Sequence, residues 1–167
     1  TLVLLGDQIG VIFSNIAKVP GVYVRANDGG DSVTITGNTF DVSLPGSTVQ
    51  QNAVYVLGED TSNRIRNVDV SDNTFTVSTG YLDTMIEVND SDEVTIANNR
   101  GVVTGSAQLV AGLLLRGHCF GWTISDNVLV NDSSGSAVST GISVIQLTAG
   151  ELQQAGTVTT NVVCDFK

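Results

Sequence analysis

The sequence has 167 residues, of which 41% are apolar, and carries a formal net charge of −10 at pH 7. That length is sufficient for one domain with a continuous core, and we predict a single domain over residues 1–167. An acidic surface disfavours nucleic acid and anionic membranes, because phosphate binding needs basic side chains. No apolar run approaches the roughly 20 residues that span a bilayer, so we expect no membrane insertion.

The first predicted strand is Leu2 to Leu5, which lacks the basic flank and the cleavage site of a signal peptide. Together with the apolar residues that begin at Val11, it forms an early and weaker repeat. The chain begins without Met, in the middle of this repeat. We therefore expect the sequence to be a fragment of a longer chain.

From residue 22 onward, the chain repeats one sequence pattern five times: a short apolar strand, a polar turn and a second strand that ends in asparagine. The first strands begin at Val22, Val54, Ile86, Leu113 and Ile142. The second strands end at Asn38, Asn73, Asn99 and Asn127, and a shorter fifth companion ends at Asn161. Two residues after the asparagine, Phe40, Phe75 and Leu129 mark a third short strand, whereas Gly101 departs from the pattern.

The spacing of the repeats indicates a solenoid. Equivalent positions, such as Val24, Val56 and Val88, are 32 residues apart, and the later intervals shorten to 27 and 29. A period of this size built from strands predicts that each repeat is one coil. Alternation then directs the apolar residues of the first strands inward, stacked in register at about 4.8 Å.

The residue before each recurrent asparagine predicts a sharp corner of the coil. Gly37, Asp72, Asn98 and Asp126 belong to residue types that tolerate a left-handed backbone. The asparagines themselves suit a structural role, since stacked amides can bond to each other and to the turn backbone without any ligand.

Three strands per coil, an asparagine-bearing corner and variable loops resemble the pectate-lyase-type right-handed parallel β-helix. The resemblance implies an all-β fold: a right-handed, single-stranded parallel β-helix of about five to six coils. This family includes polysaccharide lyases, hydrolases, epimerases, adhesins and trimeric bacteriophage tailspikes. The Ser/Thr/Asn/Val-rich, Lys-poor composition is most similar to that of the tailspikes.

The resemblance also implies a substrate groove along the outer face of the first strands. The outward positions there form two columns that mix aromatic and polar side chains, which suits a glycan. The predicted glycan-binding residues are Tyr23, Arg25, Tyr55, Asn89 and Arg116. Apolar residues also point outward, and these would suit a subunit interface better; they are Leu57, Leu114 and Ile145.

Glu87 is the carboxylate that this register places in mid-strand on the outer face, so it is the candidate acid, base or nucleophile. A glycosidase needs a second carboxylate, and Asp83 and Glu59 are the nearby candidates. Alternatively, Glu87 only solubilises an exposed strand. Arg116 could instead serve as the base of a lyase, although the usual lyase motifs around that arginine are not visible.

The turn after the first strand is acidic in three successive coils. Stacked at the coil spacing, these carboxylates could hold calcium, although they equally suit a solvated surface and no metal-binding motif is present. They are Asp28, Asp31, Glu59, Asp60, Asp90, Asp92 and Glu93. We predict no metal site and no required cofactor, with calcium as the open alternative.

Cys119 and Cys164 lie at unrelated positions in different coils, and we expect both to be buried free thiols. His118 is adjacent to Cys119, but neighbouring residues of an extended chain point apart. The pair is therefore expected to be structural and not a nucleophile with its base.

The leading hypothesis is recognition of bacterial surface polysaccharide, with or without depolymerisation, by part of a tailspike-like homotrimer on a virion tail. One alternative is a non-catalytic trimeric shaft in which the outward apolar residues pack against sister chains. Another is a secreted polysaccharide lyase or epimerase whose activity requires calcium. Whether the protein is a hydrolase, a lyase or no enzyme stays open at this point.

Overall fold

The structure is a computed structural model that describes residues 2–5, 11–13, 16–18, 21–25, 32–43, 52–58, 63–134, 140–145 and 156–166. Every regular element in these ranges is a β-strand, and they contain no helix long and apolar enough to cross a membrane. The strands form three parallel sheets of six strands each, and every third strand along the chain returns to the same sheet. The fold is therefore an all-β parallel solenoid with three strands per turn, as predicted.

The first sheet contains β1 (Leu2–Leu5), β4 (Val22–Arg25), β7 (Asn52–Leu57), β10 (Tyr81–Asn89), β13 (Gln108–Arg116) and β16 (Thr140–Ile145). The second contains β2 (Val11–Phe13), β5 (Val33–Thr36), β8 (Val68–Ser71), β11 (Val94–Ala97), β14 (Thr123–Ser125) and β17 (Thr157–Thr159). The third contains β3 (Ile16–Lys18), β6 (Thr39–Ser43), β9 (Thr74–Thr79), β12 (Arg100–Gly105), β15 (Val128–Ser133) and β18 (Val162–Cys164). Each sheet contains six strands, and the handedness of the solenoid stays a prediction.

The core consists of aliphatic ladders in the predicted register. Val22 pairs with Val54, Val54 with Ile86 and Ile86 with Leu113. These four side chains are buried, and Ile142 on the next rung packs against them while half-buried. Burying a side chain of this size contributes about 1.5–3 kcal/mol, so the repeated ladder is the main source of stability.

The part of the core beside the third sheet is filled by stacked aromatic rings and by a methionine side chain. Phe40 and Phe75 stack with ring centroids 4.8 Å apart and an interplanar angle of 5°. On the next rung, the Gly101 position has no room for a Cβ, which would clash with Sδ of Met85. The buried Met85 thus occupies the space that a large residue at Gly101 would take, which explains why this rung departs from the sequence pattern.

The predicted corner is present in five successive coils. The residue before each asparagine has a positive φ, at Gly37 (66°), Asp72 (56°), Asn98 (54°), Asp126 (56°) and Thr160 (53°). The chain turns there from the second sheet into the third. Thr160 shows that the corner persists in the last repeat although a β-branched residue is strained in this conformation.

The asparagines after these corners form a continuous hydrogen-bonded ladder. The side-chain amide of each donates to Oδ1 of the next, at 3.0 Å from Asn38 to Asn73, 3.0 Å from Asn73 to Asn99, 3.0 Å from Asn99 to Asn127 and 2.9 Å from Asn127 to Asn161. Each backbone N–H also donates to the same oxygen. The ladder accounts for these side chains within the fold, and the degenerate fifth repeat joins it through Asn161.

Substituting Asn99→Ala tests the ladder. The change removes the bonds of the Asn99 side chain to Val70 and Asn127 and leaves the buried backbone N–H of Asn73 without its acceptor. We expect the free energy of unfolding to fall by about 2–4 kcal/mol, measured by urea denaturation.

The neighbouring Asn98 is exposed with φ of 54°, so Asn98→Gly removes an amide side chain but keeps the backbone conformation. This control should change stability by less than about 0.5 kcal/mol. Equal losses in the two variants would contradict the structural role of the ladder.

Candidate functional site

The outer face of the first sheet carries the two predicted columns. Tyr23 pairs with Tyr55, Tyr55 with Glu87 and Glu87 with Leu114. In the second column Arg25 pairs with Leu57, Leu57 with Asn89, Asn89 with Arg116 and Arg116 with Ile145. The rung spacing therefore brings together side chains that are about 30 residues apart in sequence.

Several of these outward side chains are not exposed, which the sequence pattern did not predict. Glu87 and Asn89 are each 6% exposed, and Leu114 is 8% exposed. Leu57 is half-buried and Ile145 is 39% exposed. The expectation that Leu114 offers an open apolar surface to sister chains is therefore wrong, because this side chain is buried within one chain.

The buried Glu87 carboxylate is surrounded by hydrogen-bond donors. Oε2 accepts from Nδ2 of Asn52 at 2.9 Å, and Oε1 accepts from Nδ2 of Asn89 at 3.2 Å. Nη1 of Arg116 lies 3.7 Å from Oε1 and forms an ion pair whose arginine side is 43% exposed. These contacts compensate part of the cost of burying the charge.

Burial raises the pKa of the Glu87 carboxyl above its ordinary value of 4.5. The hydrogen bond from Asn89 and the charge of Arg116 oppose this rise, as does the hydrogen bond from Asn52, but burial has the largest effect on the pKa. A carboxyl group in this condition can exchange a proton nearer to neutral pH than an exposed one, as a general acid must.

Two tyrosines extend the polar surface along the first column. The rings of Tyr23 and Tyr55 stack with centroids 5.2 Å apart, and the Tyr55 hydroxyl accepts from Nδ2 of Asn89 at 3.0 Å. Burial and the neighbouring Glu87 raise the pKa of Tyr55, so the phenol stays neutral. Asn89 thus connects the aromatic stack to the carboxylate.

The structure also identifies two residues that the sequence pattern missed. The Thr84 hydroxyl donates to Oδ1 of Asn52 at 2.8 Å, so a hydrogen-bonded chain runs from Thr84 through Asn52 to Glu87. We call the group formed by Asn52, Tyr55, Thr84, Glu87, Asn89 and Arg116 the Glu87 cluster.

Strict alternation would have directed Asn52 and Thr84 toward the core. Instead, consecutive residues are buried at Ala53 and Val54 and again at Met85 and Ile86, so the alternation reverses there. A pair of successive apolar residues at the same place in two repeats is the signal that could have predicted this reversal.

Among the residues that the structure describes, no hydrogen bond joins Asp83 or Arg25 to the cluster. Asp83 bonds to Tyr81, and its charge is the weakest of the influences on the pKa of Glu87. Nε of Arg25 is buried without a hydrogen-bond partner. Glu59 lies outside the described residues, so the second carboxylate of a glycosidase stays a prediction.

In the acidic turn, two of the carboxylates have protein partners. Oδ1 of Asp90 accepts from the backbone N–H of His118 at 3.0 Å, and Oδ2 of Asp92 pairs with Nε of Arg64 at 3.1 Å. The part of the chain that the structure describes contains no group of three His, Cys, Asp or Glu side chains able to hold a metal ion. Asp28, Asp31, Glu59 and Asp60 lie outside those ranges, and a role for calcium stays untested.

The thiols are both free, but only one is buried. Burial raises the pKa of Cys119 to about 11, which keeps the thiol protonated and unreactive. The thiol donates to the backbone carbonyl of Arg116 at 3.3 Å, and Nδ1 of His118 lies 3.3 Å from Oδ1 of Asp90. Cys164 is exposed, so the expectation that both thiols are buried is wrong for that residue.

Comparison with known proteins found no matching family model, no similar curated protein and no similar solved structure.

The raised pKa of Glu87 predicts a pH dependence of stability. Between its ordinary value and the raised one, the folded state binds more protons than the unfolded state, so the free energy of unfolding falls as pH rises through that window. Each pH unit by which the pKa is raised corresponds to about 1.4 kcal/mol. Relative to Glu87→Gln, the wild type should lose stability as pH increases above 4.5.

The measurement is urea denaturation of both proteins across this pH range, in which contributions of other carboxylates cancel in the difference. Glu93→Gln, at an exposed position, serves as the control and should not reproduce the effect. A wild type that gains stability relative to Glu87→Gln as pH rises would show that the Glu87 pKa is lowered.

Proposed function

We propose that the outer face of the first sheet binds polysaccharide and that the protein is a tailspike-like member of the pectate-lyase-type β-helix class. The observation that carries this proposal is the combination of a buried, donor-lined carboxylate with a stacked pair of tyrosines on the same face. Aromatic faces pack against sugar rings, and carboxylate, amide and guanidinium groups bind their hydroxyls. The ligand in this setting is bacterial surface polysaccharide, bound at a virion tail.

The chemistry of the Glu87 cluster favours a ligand that donates hydrogen bonds to the carboxylate. An ionised carboxylate offers about four acceptor positions, and the protein donors beside Glu87 are Asn52, Asn89 and Arg116. A sugar hydroxyl or amino group fits the position that is left. The net charge of −10 also disfavours a strongly acidic glycan.

Depolymerisation is the further step of the same proposal. Glu87 would act as the general acid, since burial favours its protonated form. A hydrolase of this kind needs a second carboxylate about 5–9.5 Å away, for which Asp83 and Glu59 are the candidates. Glu87→Gln would then abolish cleavage even at polysaccharide concentrations that saturate the variant.

Specific features of the first sheet bear on two other functions, a trimeric shaft and a secreted lyase or epimerase. A trimeric shaft would need exposed apolar side chains on the first sheet; the burial of Leu114 (8% exposed) disfavours it, whereas Val110 (41%) and Ile145 (39%) are exposed there. A monomeric mass by light scattering would contradict that function and the homotrimer. A secreted lyase or epimerase would use Arg116 as base, but this guanidinium is paired with Glu87.

Polysaccharide binding is tested with a panel of neutral, amino-sugar-containing and uronate-containing bacterial surface polysaccharides, using biolayer interferometry. Tyr23→Ala removes one ring of the stack and should weaken binding of the best ligand by about fivefold to tenfold, as expected for one aromatic contact.

Tyr81→Ala is the matched control, because this ring lies at the opposite end of β10 from Glu87 and bonds to Asp83. It should leave the affinity unchanged to within about twofold. Equal affinities of wild type and Tyr23→Ala would exclude the tyrosine stack from the binding surface, and no binding to any member of the panel would contradict the proposed ligand class.

A further inference from the structure

We propose that Asn52 and Thr84 are positioning residues that hold the Glu87 carboxylate in the orientation in which it meets a polysaccharide ligand. This role rests on the proposed function of the same surface. Neither residue is needed for the core ladders, because both lie on the outer side of the alternation reversal at Ala53 and Met85.

The Asn52 amide has one favoured orientation, which its two hydrogen-bond partners determine. Its Oδ1 accepts from Thr84 Oγ1 at 2.8 Å, and its Nδ2 donates to Glu87 Oε2 at 2.9 Å. The reverse orientation would place Oδ1 of Asn52 against Oε2, two acceptors without a hydrogen between them while the carboxyl is ionised. The ionised carboxylate therefore selects the amide orientation that donates to Glu87, and the Thr84 hydroxyl supports this orientation by donating to Oδ1 of Asn52.

The two carboxylate oxygens of Glu87 meet different hydrogen-bond donors. Oε1 faces the donors of Asn89 and Arg116, and Oε2 accepts from Nδ2 of Asn52, its one donor among the described residues. Asn52 thus fixes the rotation of the carboxylate and leaves Oε2 with one acceptor position for a ligand.

Thr84 and Asn52 support Glu87 from rigid parts of the structure. Thr84 is 2% exposed, which keeps it out of reach of a ligand, so it acts on binding only through Asn52. Thr84 and Asn52 occupy the same rung of β10 and β7, on strands held by the sheet hydrogen bonds. A reactive or binding group that is supported from rigid strands keeps its orientation better than one on a loop.

The test compares Thr84→Val, which removes the hydroxyl with little change of shape, with Thr84→Ser, which retains it. Selective 13C labelling of glutamate carboxyl groups, assigned with Glu87→Gln, reports the titration of Glu87 by NMR. Thr84→Val and Asn52→Ala should move the titration midpoint to higher pH, because a donor to the ionised form is lost or misaligned, whereas Thr84→Ser should match the wild type. Unchanged midpoints in both Thr84→Val and Asn52→Ala would overturn the proposal.

A measurement on the wild type keeps the test independent of variant folding. The side-chain amide resonances of Asn52 should titrate with the Glu87 midpoint and should lose this titration in Glu87→Gln. Amide resonances that are insensitive to Glu87 would overturn the proposed contact.

Polysaccharide binding then separates the two proposals. Asn52→Ala and Thr84→Val should weaken binding of the best member of the panel by about tenfold or more, the value of one charge-assisted hydrogen bond; Thr84→Ser should retain it. If the variants show the expected titration midpoints but the wild type binds no polysaccharide, the result would support the positioning of Glu87 and contradict the polysaccharide function. If the wild type binds polysaccharide and Thr84→Val binds it with the same affinity, the result would overturn the positioning role alone.

Discussion

Alignment of each coil with the next, in register and about 4.8 Å apart, is the constraint on which the other features of the molecule depend. It stacks Val54 on Ile86 and Ile86 on Leu113 inside, and it stacks the corner asparagines so that each amide reaches the next. A slip by one residue would exchange the inner and outer faces of a strand, so the apolar ladders and the amide ladder specify the same register. Local sequence and global fold therefore agree at these rungs.

The same alignment creates the Glu87 cluster. An outward side chain in mid-sheet has a neighbour on the rung above and another on the rung below, here Tyr55 and Leu114. These neighbours withdraw Glu87 from water, and the adjacent column supplies Asn89 and Arg116 as compensating partners. A carboxylate that would be an ordinary surface charge on an isolated strand thus acquires a raised pKa through the solenoid geometry. The chemistry proposed for this face follows from the stacking of coils and not from any one loop.

The sequence was sufficient to predict the coil geometry because period, alternation and corner residues repeat several times. Glu87, Asn89 and Arg116 could be placed on one face for the same reason. The alternation reversal at Ala53 and Met85 could not be obtained from strict alternation, so Asn52 and Thr84 were missed. Burial of Leu114 was also missed, since a residue pattern gives the direction of a side chain but not how far its neighbours cover it.

The most direct test of the functional account is a map of ligand contacts by backbone and side-chain amide NMR, recorded during titration with fragments of the polysaccharide that binds best. The account predicts that the largest chemical-shift changes fall on Asn52, Tyr55, Glu87, Asn89 and Arg116. The second sheet, represented by Thr34 in β5, Thr95 in β11 and Thr123 in β14, should stay unchanged. Changes confined to the second or third sheet would contradict the assignment of the binding surface to the first sheet.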